Sequence, residues 1–255
     1  MPSSFVWYEL MTTDTKAAEA FYRDAVGLGA KDVSMPGMNY TLLTMGETHV
    51  AGVMNLPEDA RKMGTPPNWI GYVAVDDVDA AAARVKQLGG SVHVEPRDIP
   101  NVGRFAVVAD PQHAYIALFK SSNPAQESPA DMMSPGHIGW HELMAVDWEK
   151  AWSFYSEMFG WQKADAMDMG PMGKYQLFTA GAQPIGGMFN KPPEVPVPFW
   201  LYYFNVGDID AAAGRVTAGN GKILNGPMAV PGEQWIVQCM DPQGAMFALV
   251  GKKGG

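Results

Sequence analysis

Two stretches decide how this sequence is read: Trp7-Tyr8-Glu9-Leu10-Met11 and, 133 positions later, Trp140-His141-Glu142-Leu143-Met144. The same offset carries Asp14 to Asp147, Phe21-Tyr22 to Phe154-Tyr155 and Gly27 to Gly160. At an offset of 135, Tyr40-Thr41-Leu42-Leu43-Thr44 matches Tyr175-Gln176-Leu177-Phe178-Thr179, Gly52 falls on Gly187 and Asn55 on Asn190. At an offset of 131, Val75, Asp77, Asp79, Ala80-Ala81-Ala82 and Arg84-Val85 recur as Val206, Asp208, Asp210, Ala211-Ala212-Ala213 and Arg215-Val216, and Asp110-Pro111-Gln112 recurs as Asp241-Pro242-Gln243. Chance does not hold register through so many positions, so the chain reads as a tandem duplication. The Ser- and Pro-rich run Ser121 to Pro129 between the copies reads as a linker. The expected domains are 1–122 and 136–255, with 123–135 as the linker.

Each half divides again. Residues 5–28 read as an aromatic strand, a turn at Thr12-Thr13-Asp14 and a helix. Asp14 or Thr15 serves as its N-cap, Gly27 or Gly29 ends it, and Ala17, Ala20, Phe21 and Ala25 give it an apolar face. Residues 38–55 read as two or three strands with a turn at Gly46-Glu47. Residues 69–90 repeat the plan: a strand Ile70 to Val75, a helix capped by Asp76 or Asp77, and a stop at Gly89-Gly90. Residues 91–119 return to strands. The predicted fold class is α+β, built of four βαβββ modules at 5–60, 68–120, 136–192 and 198–250.

Composition bounds the function. Of 255 residues, 47% are hydrophobic and only 18% charged, the opposite of a disordered chain. The 18 Lys and Arg against 27 Asp and Glu argue against a nucleic-acid or anionic-membrane partner. No apolar run reaches the roughly 20 residues of a membrane span. Met1 to Phe5 lacks signal-peptide character, and the single Cys239 excludes an internal disulfide framework, so the cytoplasm is the expected compartment. The totals of 8 Trp and 18 Met point to large, soft side chains lining a core or a cavity.

With its opening strand, Ala-rich helix carrying Phe21-Tyr22 and Gly27-Leu28, Val75-Asp76-Asp77-Val78-Asp79 helix entry and late Asp-Pro-Gln turn, each half resembles the vicinal oxygen chelate superfamily of glyoxalase I, bleomycin-resistance proteins and extradiol dioxygenases. The doubled Trp-x-Glu-Leu-Met opening looks most like two-domain glyoxalase-like proteins of bacteria. The resemblance implies paired modules forming curved mixed sheets around a concave site, and a divalent metal acting as Lewis acid. Carried over position by position, the metal ligands would fall on Trp7 and Trp140, near Gly52 and Gly187, on Ile70 and Leu201, and on Ala117 and Ala248. None of these side chains can ligate a metal, and none of His49, His93, His113, His137 or His141 falls on a ligand position. No metal and no cofactor are therefore expected. A non-standard site using Glu9 or Glu142 with a nearby His is the alternative.

What stands at the emptied positions gives the candidate site. Strand alternation sends Glu9 inward with Trp7, and Glu142 with Trp140. An inward carboxylate is a general-base candidate, or else a structural hydrogen-bond acceptor. Aligning modules within a half puts Tyr72 at the position of Glu9 and Tyr203 at that of Glu142, which makes these tyrosines candidate partners. Candidate ligand-binding walls are Trp7, Tyr40, Phe105 and Tyr115 in the first half and Trp140, Tyr175, Phe189, Trp235 and Met246 in the second. Such walls suit a flat, mostly apolar ligand, or simply fill the concavity. His113 stands where the second copy has Gly244, so a shifted turn type is expected there. Three functions remain open: a binder of a small aromatic or amphipathic molecule, a metal-independent isomerase, lyase or hydrolase, and a scaffold with plugged cavities. The chain is expected as a monomer or a homodimer.

Overall fold

A computed structural model of the chain describes residues 3–34, 39–123 and 132–254. The first module runs β1 (Phe5–Thr12), α1 (Thr15–Val26), β2 (Gly29–Asp32), β3 (Tyr40–Met45) and β4 (Thr48–Asn55), followed by a short helix, α2 (Glu58–Lys62), that the sequence pattern does not announce. The second runs β5 (Asn68–Ala74), α3 (Val78–Gln87), β6 (Ser91–Ile99), β7 (Gly103–Ala109) and β8 (Tyr115–Ser121). The third is β9 (Ile138–Ala145), α4 (Trp148–Phe159), β10 (Gln162–Asp168), β11 (Lys174–Thr179) and β12 (Pro184–Asn190). The fourth is β13 (Phe199–Asp208), α5 (Ile209–Ala218), β14 (Lys222–Val230), β15 (Gln234–Met240) and β16 (Met246–Lys252). All four are βαβββ, so the α+β expectation is met. The strands form two mixed eight-stranded sheets, ordered β2-β3-β4-β1-β5-β8-β7-β6 and β10-β11-β12-β9-β13-β16-β15-β14. Most of the linker, residues 124–131, lies outside the described residues.

One device starts the four long helices. Asp14, Asp77, Asp147 and Asp208 are extended residues whose carboxylates accept backbone N–H groups of the first turn. Each cap satisfies a donor the helix leaves orphaned, worth about 1 kcal/mol. Asp14 rather than Thr15, and Asp77 rather than Asp76, take this role. Gly27 and Gly160 end α1 and α4 in the left-handed conformation, each with its N–H on a carbonyl of the last turn.

By contact density the chain divides into two compact units that cut across its halves. One consists of Met1–Trp7, Ile70–Pro129 and Trp140–Leu201, the other of Tyr8–Trp69, Ala130–Gly139 and Tyr202–Gly255. The second module thus clusters with the third, and the first with the fourth. Within the unit of modules one and four, Tyr22 of α1 donates its hydroxyl to Asp241 Oδ2 at 3.1 Å and accepts from Trp69 Nε1 at 2.9 Å. Asp241 Oδ1 accepts the backbone N–H groups of Gln243, Gly244 and Ala245. Arg215 of α5 donates to the carbonyls of Asp24 and Ala25 at the end of α1. Within the unit of modules two and three the set is repeated: Trp200 Nε1 donates to Tyr155 of α4, whose hydroxyl lies beside the Asp110 carboxylate. There Gln112 and the Asp147 backbone exchange two hydrogen bonds, and Arg84 pairs with Glu157.

The turn at His113 does not shift. His113 holds a φ of 73° where Gly244 holds 104°. The reason is the aspartate that opens the turn: Asp110 Oδ1 takes the N–H groups of Gln112 and Ala114. These bonds fix a backbone that costs a non-glycine residue of order 1 kcal/mol.

Candidate functional site

The carboxylates at the centre of each half are built the same way. Glu9 of β1 pairs in register with Gly52 of β4, and Glu142 of β9 with Gly187 of β12. Both glutamates are buried, 8% and 6% exposed. From the next strand, β3, Tyr40 donates its hydroxyl to Glu9 Oε2 at 2.9 Å; from β11, Tyr175 donates to Glu142 Oε2 at 3.0 Å. The glycines make this geometry. A Cβ at Gly52 would overlap the Tyr40 hydroxyl, and one at Gly187 would overlap the Tyr175 ring. Removal of a side chain at that strand position thus gives the phenol room to cross to the carboxylate.

The unit of modules two and three holds the second pair. Trp140 Nε1 donates to the Tyr175 hydroxyl at 2.9 Å, so Trp140, Tyr175 and Glu142 form one hydrogen-bonded chain. Phe189 packs its ring 5.6 Å from Tyr175. Four predicted residues therefore meet: Trp140, Glu142, Tyr175 and Phe189. In the same unit, Tyr72 and Phe105 face each other at 6.3 Å, with the Arg97 guanidinium 4.9 Å over Phe105. Trp7 is half-buried. Tyr115 is 46% exposed and its ring rests on His93. In the unit of modules one and four, Glu9 and Tyr40 meet. There the Tyr203 hydroxyl accepts from Gln238, Trp235 carries the Lys253 ammonium over its ring at 4.3 Å, and Met246 is half-buried at the start of β16.

The usual metal does not fit the residues present. Ile70, Leu201, Ala117 and Ala248 are buried apolar groups, and Glu9 and Glu142 already accept a tyrosine hydroxyl. Among the described residues, no three His, Cys, Asp or Glu side chains are grouped to hold an ion. His141, one residue from Glu142, points the other way. It is fully buried, stacks on Phe5 at 3.9 Å, and its Nδ1 meets the Ile185 carbonyl at 2.6 Å. Burial holds its pKa down, at about 4.

That value sets a pH dependence. His141 is neutral when folded and binds a proton near pH 6.5 when unfolded, so its contribution is lost as pH falls from about 6.5 to about 4. The loss amounts to about 3 kcal/mol at pH 4. In urea titrations at pH 7 and pH 4, the His141→Phe variant should lose about 3 kcal/mol less than the wild type between the two. Equal losses would contradict the neutral assignment.

Comparison with known proteins fits this architecture. The model of the Glyoxalase/Bleomycin resistance protein/Dioxygenase superfamily matches residues 4–118 and again residues 135–249. The chain belongs to this superfamily. It is 32% identical over 247 residues to the "Putative glyoxylase CFP32" of Mycobacterium tuberculosis, covering 96% of this chain and 93% of that one. It is 30% identical over 266 residues to the "Anthracycline biosynthesis protein DnrV" of Streptomyces peucetius, covering 100% and 95%. Among solved structures it is similar to a Mn(II)-bound glyoxalase from Novosphingobium aromaticivorans, with a TM-score of 0.66, 16% identity and 99% and 83% coverage. It is also similar to the 2,2',3-trihydroxybiphenyl 1,2-dioxygenase of Sphingomonas wittichii, with a TM-score of 0.69, 14% identity and 98% and 91% coverage. At such identities these two show the superfamily fold alone.

The sequence reading paired Glu9 with Tyr72 and Glu142 with Tyr203; the tyrosines described on the carboxylates are Tyr40 and Tyr175, taken from the wall set. The Trp-Tyr-Asp ties of the two units escaped that reading altogether. Their signal was present, since Phe-Tyr and Asp-Pro-Gln repeat at fixed offsets, but nothing in one strand or helix indicates that they meet.

Proposed function

We propose that this superfamily member binds a flat, mostly apolar small molecule and holds one polar group of it at a tyrosine–glutamate pair, without the divalent ion usual in the fold. The observation that carries the reading is the seating of Tyr175 over Gly187 and of Tyr40 over Gly52, each on a buried glutamate. A phenol on a carboxylate is a preorganised polar spot in an aromatic wall, able to orient a ligand hydroxyl or carbonyl. Relatives named for anthracycline biosynthesis support a polycyclic aromatic ligand.

The test is quenching of tryptophan fluorescence by an anthracycline and by simple phenols, on protein whose metal content is measured before and after chelation. Saturable quenching, unchanged by chelation, is expected, with Tyr175→Phe binding about tenfold more weakly. Stoichiometric Zn, Mn or Fe whose removal abolishes binding would overturn the metal-free reading. Failure of every compound to quench would favour plugged cavities. The burial of both carboxylates supports a second reading, in which one of them is a general base. In that case Glu9→Gln or Glu142→Gln abolishes turnover of a bound compound while its binding persists.

A further inference from the structure

The part of the first sheet that module two supplies carries a row of side chains that the tyrosine–glutamate pairs do not use. Arg97, Phe105 and Phe119 stand opposite one another on β6, β7 and β8, so they share one face. Tyr72 of β5 joins them, its ring 6.3 Å from Phe105 and 6.2 Å from Phe119. Two residues along, Val107 and Ala117 pair on the same face, with Ala117 also opposite Tyr72. Beyond them Ala109 pairs with Tyr115, whose ring meets that of His93 at 4.7 Å. The small side chains form a shallow floor between two aromatic ends, about 13 Å apart along β8.

The charge on this row is unpaired. The Arg97 guanidinium rests 4.9 Å over the Phe105 ring and has no carboxylate partner among the described residues. The other acids of β6 are engaged elsewhere: Glu95 with Lys86 of α3, and Asp98 with Arg104, which also holds Asp79 of α3. A guanidinium resting on a ring still has its N–H fork for a second partner, and a carboxylate fits that fork with two hydrogen bonds. His93 adds no charge near neutrality, because burial and then the charge of His113 lower its pKa.

The internal repeat supplies the control. At an offset of 131, Arg97, Phe105 and Phe119 become Met228, Ile236 and Val250, which pair in the same register on β14, β15 and β16. His93 and Tyr115 become Leu224 and Met246. The fourth module therefore presents an uncharged aliphatic row where the second presents a guanidinium among aromatic rings. The fold itself requires neither the charge nor the rings at these positions.

We propose that this face of module two binds a flat aromatic carboxylic acid. The carboxylate accepts two N–H groups of Arg97, and the rings lie over Val107 and Ala117 beside Tyr72. The proposal rests on the reading above in taking a flat, mostly apolar ligand, and narrows it by naming the acid group and the residue that recognises it. It stands on module two and not on the tyrosine–glutamate pairs.

The test follows backbone amide resonances of the intact protein during titration with naphthoate, with its methyl ester as the uncharged control. Saturable shifts are expected with naphthoate at the amides of Arg97, Phe105, Val107, Ala117 and Phe119, with the ester binding about tenfold more weakly. Arg97→Gln, a change at an exposed residue, should weaken naphthoate about tenfold and leave the ester unchanged. Arg97→Lys keeps the charge and loses the fork, so it should recover only part of that loss. The proposal is overturned if acid and ester bind alike, if Arg97→Gln holds the acid like the wild type, or if naphthoate binds only away from module two. In those three cases an aromatic compound still binds, so the broader reading survives. Binding of neither compound overturns both.

Discussion

Replacing Asp241 by alanine is expected to lower the stability of the protein by about 4 kcal/mol, near 10 °C in melting temperature for a chain of this size. The side chain is 3% exposed and accepts four hydrogen bonds, three from the backbone N–H groups of its own turn and one from Tyr22. Alanine leaves the Tyr22 hydroxyl and the turn amides without this acceptor in a site too buried for water to replace it at no cost. Asp241→Asn keeps an acceptor oxygen and should lose about half as much. Burial pushes the Asp241 carboxyl above its usual range, with the turn amides and Tyr22 opposing that shift. A folded-state pKa above the unfolded one means a contribution that is full below the unfolded value and lost as pH rises through the folded value. This sign is opposite to that of His141. Burial raises the Asp110 carboxyl in the same way, so Asp241→Ala keeps the His141 trend and loses only the Asp241 part of the opposing one. Denaturant midpoints at several pH values check both points. A loss under 1 kcal/mol would show that the aspartate does not tie α1 to its turn.

Gly187→Val should be comparably damaging, and more so to function. The new Cβ overlaps the Tyr175 ring, and the neighbouring strand backbone gives it nowhere to go. Either the strand bends or Tyr175 swings away, breaking its bonds to Glu142 and Trp140. Overpacking costs about 1–3 kcal/mol, and loss of a hydrogen bond to a buried charged group adds about 1.5–3. We expect a total near 4 kcal/mol and no measurable ligand quenching. Tyr175→Phe is the control, because it removes only the hydroxyl: a loss of about 2 kcal/mol with the ring in place. If Gly187→Val were no worse than Tyr175→Phe, the close seating of the ring would not be what the glycine is for.

Much of this was legible in the residues. The offsets of 133, 135 and 131 carried the duplication, and the period-two and helical patterns carried all four modules, because each is a local property of a short stretch. That apolar residues stand at Ile70, Leu201, Ala117 and Ala248 was legible as well, since it needs only residue identity. The bonds from Tyr40 to Glu9 and from Tyr175 to Glu142 were not. They depend on a glycine of the intervening strand vacating space, which is a matter of register and not of pattern. His113 failed for a similar reason: the conformational preference of one residue was outweighed by an aspartate three positions earlier that bonds the turn from its other end.

The ties through Asp241 and Asp110 have a consequence for inheritance. Each joins an element from one half of the chain to an element from the other. A protease that nicked the connection between the halves would therefore release nothing, because each fragment still supplies part of both units. A gene reduced to its first half would encode a chain whose Tyr22 has lost its aspartate and whose Asp110 has lost its tyrosine. Such a chain could restore the tie by setting its Tyr22 against the Asp110 of a second copy of itself. The duplication thus made permanent, by covalent attachment, an exchange of modules that two separate chains would have to find by collision.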